Sequence, residues 1–368
     1  MTAQCVIALL GRRDEPTDAV EEYCRHLGEG LAAHNFQLEI RRVPWDQHGW
    51  AASLEALRLQ AQSWRDTWVL VQYTALAWST RGFPRRFLQV MRVLRGAGAH
   101  IAVVYHDAQP FSGTRLIDRL RREIQVRTMR TALAFADRAV FTVPLECIGW
   151  HAIEAEKSSF IPVGANLPFA LAPQQHEERH SPPTVAVFSI TGGVPGERET
   201  RLIIGAMSVA SQKLGPLQLL AFGRHAEIRE SALRKGLRDR PVTLEICGVI
   251  DDQELLQRFA ASDVLLFVRG TISSRRGSAI AGIACGLPVI GFRGKETASP
   301  ITDAGVVLIA ADQDESQLQI QLGDALVRVL SEKEFRTQLV ERSRTAQDQF
   351  FSWPSIAARY AEFLSPPV

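Results

Sequence analysis

Long apolar runs are missing from this 368-residue sequence. No stretch approaches the ~18–20 consecutive apolar residues that a membrane-spanning helix requires. The opening "MTAQCVIALLGRRDEP" lacks the basic leader and the small-residue cleavage site of an export signal, so a cytoplasmic location is expected. Cysteine is sparse: Cys5, Cys24, Cys147, Cys247 and Cys285 are odd in number and show no Cys-x-x-Cys spacing. Neither a disulfide framework nor a zinc site is supported, and the thiols read as reduced and mostly buried. Neither sign of charge is in excess, the formal net charge being +2, so composition does not imply a nucleic-acid partner. Short repeats and low-complexity tracts are also absent.

What the chain does have is alternation. Short apolar runs near Cys5–Leu10, Leu38–Val43, Trp68–Tyr73, Ile101–Tyr105, Ala139–Val143 and Phe160–Val163 are separated by amphipathic stretches, among them Asp18–Ala33, Pro84–Gly96, Thr114–Phe135 and a short one near Leu145–Ala155. That is the pattern of βα units around a parallel sheet. "PFALAPQQHEERHSPP" (Pro168–Pro183) interrupts it with Pro, Gln, His and charge, and reads as a linker. A second series follows, with strands at Val185–Ile190, Leu217–Phe222, Thr243–Ile246, Val264–Val268, Pro288–Phe292 and Val306–Ile309. Helices are expected over Thr200–Lys213, Ala226–Lys235 and Asp252–Ser262. The chain ends in helix from Glu315 to about Leu364, broken around Ser352–Pro354. The fold class is therefore α/β, with two doubly wound domains. Ligands of such sheets bind at the carboxyl ends of the strands, so a cleft between the domains is the expected site.

Several motifs fall on strand ends. In "DVLLFVRGTISSRRGSAIAGIACGLPVIGF" (Asp263–Phe292), three arginines precede a helix of small residues starting at Ser274 or Gly277. The free N–H groups and dipole of a helix start attract anions. Arg275 and Arg276 add charge-assisted, bidentate donors suited to phosphate, so Arg275, Arg276, Gly277 and Ser278 form a candidate diphosphate cradle. The bland alternative is an Ser274 N-cap with solvated arginines. "FSITGGVPGERET" (Phe188–Thr200) ends a strand in Gly192-Gly193, and Arg198 is expected to open the next helix as a second phosphate cation. In "GRRDEPTDAVEEY", Asp18 and Glu21 make a capping box, while Thr17 and Asp18 are candidates for substrate contact. "VVYHDAQP" puts His106 and Asp107 at a strand's carboxyl end, a catalytic address. The Arg81–Arg130 stretch crowds arginines onto two helices, in a pattern suited to anionic headgroups or to a solvated face.

The blocks "GVIDDQELLQRFAASDVLLFV", "IACGLPVIGF", "FSWPSIAARYAEFL", "IPVGANLP" and "YHDAQP" together resemble GT-B glycosyltransferases of the large family 4 (glycosyltransferase group 1). The resemblance implies two Rossmann-like domains. Residues 1–170, joined by the C-terminal helix 350–368, would bind the acceptor, and residues 184–349 the nucleotide sugar. Residue by residue, Arg198 matches the family's phosphate-binding lysine, His106 the histidine that meets the transferred sugar, and Gly192 and Gly193 the turn near the diphosphate. The nucleotide and sugar are expected at Gly223, Gly248, Ser273, Ser274 and Glu296. One departure is large. The paired glutamates of the family fall on Ser273 and Ala281 here, and Glu296 is the nearest carboxylate that could compensate for them.

The implied function is retaining transfer of a sugar from a nucleoside-diphosphate donor, a UDP-sugar above all, to a glycan or lipid-linked acceptor in bacterial polysaccharide synthesis. No cofactor is expected, and no clustered Asp-x-Asp signature suggests a metal. The expected partners are the sugar nucleotide, the acceptor and the inner face of an anionic membrane, with no nucleic acid. The missing glutamates favour an alternative, a non-catalytic GT-B subunit that binds an acceptor or a partner transferase. A nicotinamide enzyme ranks last, because "GGVPGE" does not fit the dinucleotide glycine spacing.

Overall fold

The computed structural model describes residues 3–15, 17–150, 157–167 and 181–365. Most of the expected linker, residues 168–180, and the end of the helix expected near Leu145–Ala155 lie outside them. The chain divides into two compact units, residues 1–166 with 353–368, and residues 167–352. In chain order the first unit contains β1 (Gln4–Leu10), α1 (Ala19–Ala32), β2 (Phe36–Arg42), α2 (Trp45–His48), α3 (Trp50–Ala61), β3 (Trp68–Tyr73), α4 (Phe87–Gly96), β4 (His100–Tyr105), α5 (Leu116–Phe135), β5 (Arg138–Phe141) and β6 (Ser158–Phe160). The second contains β7 (Thr184–Phe188), α6 (Gly193–Leu214), β8 (Leu217–Phe222), α7 (Glu230–Leu237), β9 (Val242–Ile246), α8 (Asp252–Ala260), β10 (Val264–Thr271), α9 (Gly277–Ala284), β11 (Val289–Arg293), β12 (Val306–Ala310), α10 (Glu315–Ser331) and α11 (Lys333–Ala346). A final helix, α12 (Trp353–Leu364), belongs to the first unit.

Each unit is built on one six-stranded parallel sheet, ordered β2-β1-β3-β4-β5-β6 in the first and β12-β11-β10-β7-β8-β9 in the second. The central strands are buried on both faces, which is why they read as unbroken apolar runs rather than alternating ones. In β3 all six residues are buried. The strand order reverses between β1 and β3 in one unit and between β7 and β10 in the other, and these are the two topological switch points.

Three expected elements differ from the observed ones. Helix α6 begins at Gly193, not Thr200. Pro195 and Gly196 suggest a loop, but a proline in a first helical turn lacks only an N–H that would have had no intrahelical partner. Gly196 is there for space, since a Cβ would lie 1.8 Å from the Thr191 carbonyl oxygen. The terminal helix is interrupted a second time, at Glu332 between α10 and α11. Within the described part of Leu145–Ala155 only a single turn forms, Leu145–Cys147. The apolar face of α4 expected from the sequence (Phe87, Val90, Met91, Leu94) lies entirely in the core.

Helix α12 is fastened by Trp353. Its Nε1 donates to the Ala165 carbonyl at 2.7 Å, and its ring meets His26 and Tyr23 with centroids 5.2 and 5.3 Å away. Gly164 leaves room for that ring, because a Cβ there would fall 2.7 Å from it. Trp353→Ala is expected to cost about 3–5 kcal/mol, the range for removing a large buried aromatic. Urea denaturation followed by fluorescence would measure this; a loss below about 1 kcal/mol would contradict the packing role.

Candidate active site

In the second unit, the β7 and β10 ladder consists of only two residue pairs, Val185 with Val264 and Ala186 with Leu265. Beyond them the two strands continue without pairing to each other, to Phe188 and Thr271. Each is followed by a helix whose start carries no side-chain cap. Gly192 is the N-cap of α6 and Arg276 the N-cap of α9. By contrast, α8 and α10 are capped by Asp251 and Asp314, whose carboxylates accept first-turn N–H groups. Uncapped first-turn N–H groups at strand ends can meet an anion.

The turn before α6 is held from within. Glu199, 6% exposed, accepts the Thr191 N–H at 2.7 Å, and Arg229 donates to the Gly193 carbonyl at 2.6 Å. Gly193 takes φ +64°, a left-handed conformation that glycine adopts at little cost. Gly192 lies beside His225, whose Nε2 would be 3.3 Å from an added Cβ. Gly223 and Gly248 tie the ends of β8 and β9 together through a 2.8 Å N–H to carbonyl bond. Arg198 is exposed in the second turn of α6 rather than opening the helix. Its charge acts on Glu315.

Ahead of α9, Ser273 and Ser274 are 0% and 1% exposed, and the Ser273 Oγ has no hydrogen-bond partner. Ser274 is not the helix cap; the Arg276 N–H donates to the Ser273 carbonyl at 3.0 Å instead. Arg275 Nε donates to Glu296 Oε2 at 2.9 Å in a largely buried ion pair. The second oxygen of Glu296 is buried and without a hydrogen-bond partner. Gly277 and Ser278 form the first turn of α9 and are partly exposed. Gly282 packs α9 onto β10, since a Cβ would meet the Leu265 side chain at 2.4 Å. A Schellman closure ends the helix: Leu287 N–H donates to the Gly282 carbonyl and Gly286 N–H to the Ile283 carbonyl, with Gly286 at φ +74°. Burial pushes the neighbouring Cys285 thiol up to about 12, which removes it as a nucleophile near neutral pH.

In the first unit, a cavity of about 230 Å³ opens at the β1/β3 switch point. Gly11, Arg12, Arg13, Asp18, Thr74 and Asp107 are among its lining residues. Asp18 caps α1 through bonds from Val20 and Glu21 N–H and also holds Arg42 at 3.0 Å. The expected reciprocal box is therefore half formed, because Glu21 turns to Arg42 at 2.8 Å. Thr17, partly exposed, immediately precedes this cap. His106 follows β4, with its ring edge-on to Tyr23 at 5.0 Å and Nε2 2.8 Å from Gln72 Oε1. The Gln72 amide nitrogen donates to the Leu70 carbonyl, so its oxygen faces the imidazole and Nε2 is the donor. Gln72 and Tyr23 had no signal in the sequence, because their roles depend on strand adjacency and helix packing. Among the described residues, no group of three or more His, Cys, Asp or Glu side chains is gathered to hold a metal.

No family model matches the sequence, and no curated protein matches it either. Solved structures do match in fold. WaaG, a glycosyltransferase involved in lipopolysaccharide biosynthesis, shares 16% identity at TM-score 0.65, covering 98% of this chain and 100% of its own. Anabaena HepE, solved with UDP-glucose, shares 14% identity at TM-score 0.63, covering 98% and 99%. A glycosyltransferase from Rickettsia africae shares 13% identity at TM-score 0.67 over the whole of both chains. The fold of this chain is thus GT-B, with two Rossmann-like parallel sheets, as in these structures.

Proposed function

We propose that the protein is a glycosyltransferase that moves a hexosyl group, with retention, from a UDP-sugar to a glycan or lipid-linked acceptor in polysaccharide assembly. The observation that carries this reading is the β7/β10 switch point, where two uncapped helix starts and the Arg275–Arg276 pair follow strands that have parted from each other. The fold likeness to a UDP-glucose-binding protein supports the choice of nucleotide. The diphosphate would lie against Gly192, Gly193, Gly277, Ser278 and Arg276, with Arg198 and Arg275 contributing charge. His106 and Arg198 are assigned to catalysis, and Thr17, Asp18 and Asp107 to the acceptor.

In the reaction, the bond between the anomeric carbon and the β-phosphate oxygen breaks, and its electron pair stays on that oxygen. The acceptor hydroxyl oxygen bonds to the carbon and its proton passes to the departing phosphate. Fixed donors aimed at the growing phosphate charge supply the main stabilisation, and on this reading no metal is required. The nucleoside and sugar are assigned to Gly223, Gly248, Ser273, Ser274 and Glu296. The free, buried Oε1 of Glu296 is the acceptor proposed for a ribose hydroxyl.

A peripheral membrane contact is part of the proposal. Where α5 begins, Leu116, Ile117 and Leu120 are 80%, 48% and 52% exposed, with Phe111 exposed in the preceding loop. The exposed Arg115, Arg119 and Arg122 border them. Apolar side chains ringed by arginines suit an anionic cytoplasmic leaflet. Within the described residues no helix is long and apolar enough to cross the bilayer.

Calorimetry with UDP, GDP and ADP should show UDP preferred and Arg276→Ala weakened roughly tenfold, the scale of a lost charge-assisted bond. Unchanged affinity in that variant would remove Arg276 from the diphosphate. Glu296→Gln should erase the preference for UDP over its 2′,3′-dideoxy analogue; a preference that survives would reject the ribose assignment. Slow hydrolysis of a UDP-sugar marks a working donor site, whereas tight UDP binding with no turnover of any sugar nucleotide would favour the non-catalytic subunit suggested by the buried Ser273 and Ala281. Vesicles containing phosphatidylglycerol should bind the protein, and Leu116→Ser with Leu120→Ser should abolish that binding. Equal binding to neutral vesicles would count against the anionic surface.

A further inference from the structure

Pairing of β10 with β11 jumps from Phe267–Gly291 to Thr271–Phe292, so three residues on one strand are spanned by no extra residue on the other. The excess residues, Val268, Arg269 and Gly270, form a bulge at the carboxyl end of β10, with Gly270 at φ +73°. Bulges of this kind redirect a side chain beside a site at some loss of pairing. The bulge lies beyond the last β7/β10 pair, at Leu265 and Ala186, and so borders the opened switch point.

Arg269 is partly buried there, and its Nε is buried without a hydrogen-bond partner. Its pKa is pushed down by burial, with Glu199 acting in the opposite direction and the Arg224 charge adding a smaller downward push. Glu199 is already the acceptor of the Thr191 N–H in the glycine turn. A guanidinium held partly out of water without a close carboxylate is costly unless something negative completes it.

We propose that Arg269 is the diphosphate-binding arginine of this site, aimed by the β10 bulge at the space between the glycine turn and the start of α9. This rests on the nucleotide-sugar reading above and deepens it. Arg275 is engaged by Glu296, Arg229 by the Gly193 carbonyl, and Arg198 stands exposed a turn and a half into α6, so Arg269 supplies a buried cation whose Nε is still unmet. Its planar fork accepts two phosphate oxygens at once. In the burial-weakened dielectric that contact gains strength as charge collects on the departing phosphate.

The test compares wild type, Arg269→Gln and Arg269→Lys by calorimetry and thermal melting with UDP, uridine and inorganic pyrophosphate. UDP and pyrophosphate should bind Arg269→Gln at least roughly tenfold more weakly, with uridine unaffected and Arg269→Lys in between. Without ligand, Arg269→Gln should melt no lower than wild type, since an incompletely paired charge has been removed. UDP affinity that is identical in all three proteins overturns the assignment. A lower ligand-free melting point with UDP affinity intact also overturns it, because that marks a purely structural arginine. If wild type binds pyrophosphate but UDP, GDP and ADP no better, the nucleotide-sugar reading fails while the pyrophosphate arm still decides Arg269.

Discussion

The early end of pairing between β7 and β10 is the constraint from which the rest of the second unit follows. Strands that lead to helices on opposite sides of a sheet must part at their carboxyl ends. Here they part after Ala186 and Leu265. The separation frees the backbone after β7 to make the Thr191–Gly193 turn, and the backbone of β10 to bulge at Arg269. The parallel sheet puts the starts of α6 and α9 at the same end. Small residues then become necessary rather than incidental. Gly196 must clear the Thr191 carbonyl and Gly282 must clear Leu265, or neither helix could approach its strand.

Three buried carboxylates work as internal fasteners. Glu199 holds a loop N–H, Asp18 caps a helix and anchors Arg42, and Glu296 pairs with Arg275. Each is buried, and donors replace the water it lost, for Glu296 at one oxygen only. The consequence for chemistry is that Glu199 and Glu296 are occupied by Thr191 and Arg275, while the Arg269 Nε is left unmet. That balance suits an anionic leaving group. It also fits a chain in which the two positions given to glutamate in the resembling family are Ser273 and Ala281, both sealed from solvent.

All twelve strands are legible in the sequence to within a few residues, from Trp68–Tyr73 and Leu217–Phe222 at their observed bounds to Val264–Val268, which runs three residues further. Double-sided burial makes the central apolar runs continuous, so their limits are sharp, whereas β6, at the sheet edge, shares only Phe160 with the expected Phe160–Val163. The starts of helices are less legible. Pro195 and Gly196 carry the signature of a loop but sit in a first turn, and Ser274 has the chemistry of a cap that Arg276 holds instead. Capping depends on the path by which the chain arrives, which residue type alone does not specify.

By itself, then, the sequence determined the doubly wound α/β class, the strand positions, and which loops gather glycine and arginine at strand ends. Those features are local: they depend on hydrophobic period and on the backbone freedom of single residues. Only the tertiary structure decided which arginine is tied up and which is not. Arg269, Arg275 and Arg276 look alike in "VRGTISSRRGS", yet a bulge places one at the switch point and Glu296, 21 residues later, captures another. Charge pairing acts through space over a few ångströms, and only the folded chain sets those distances.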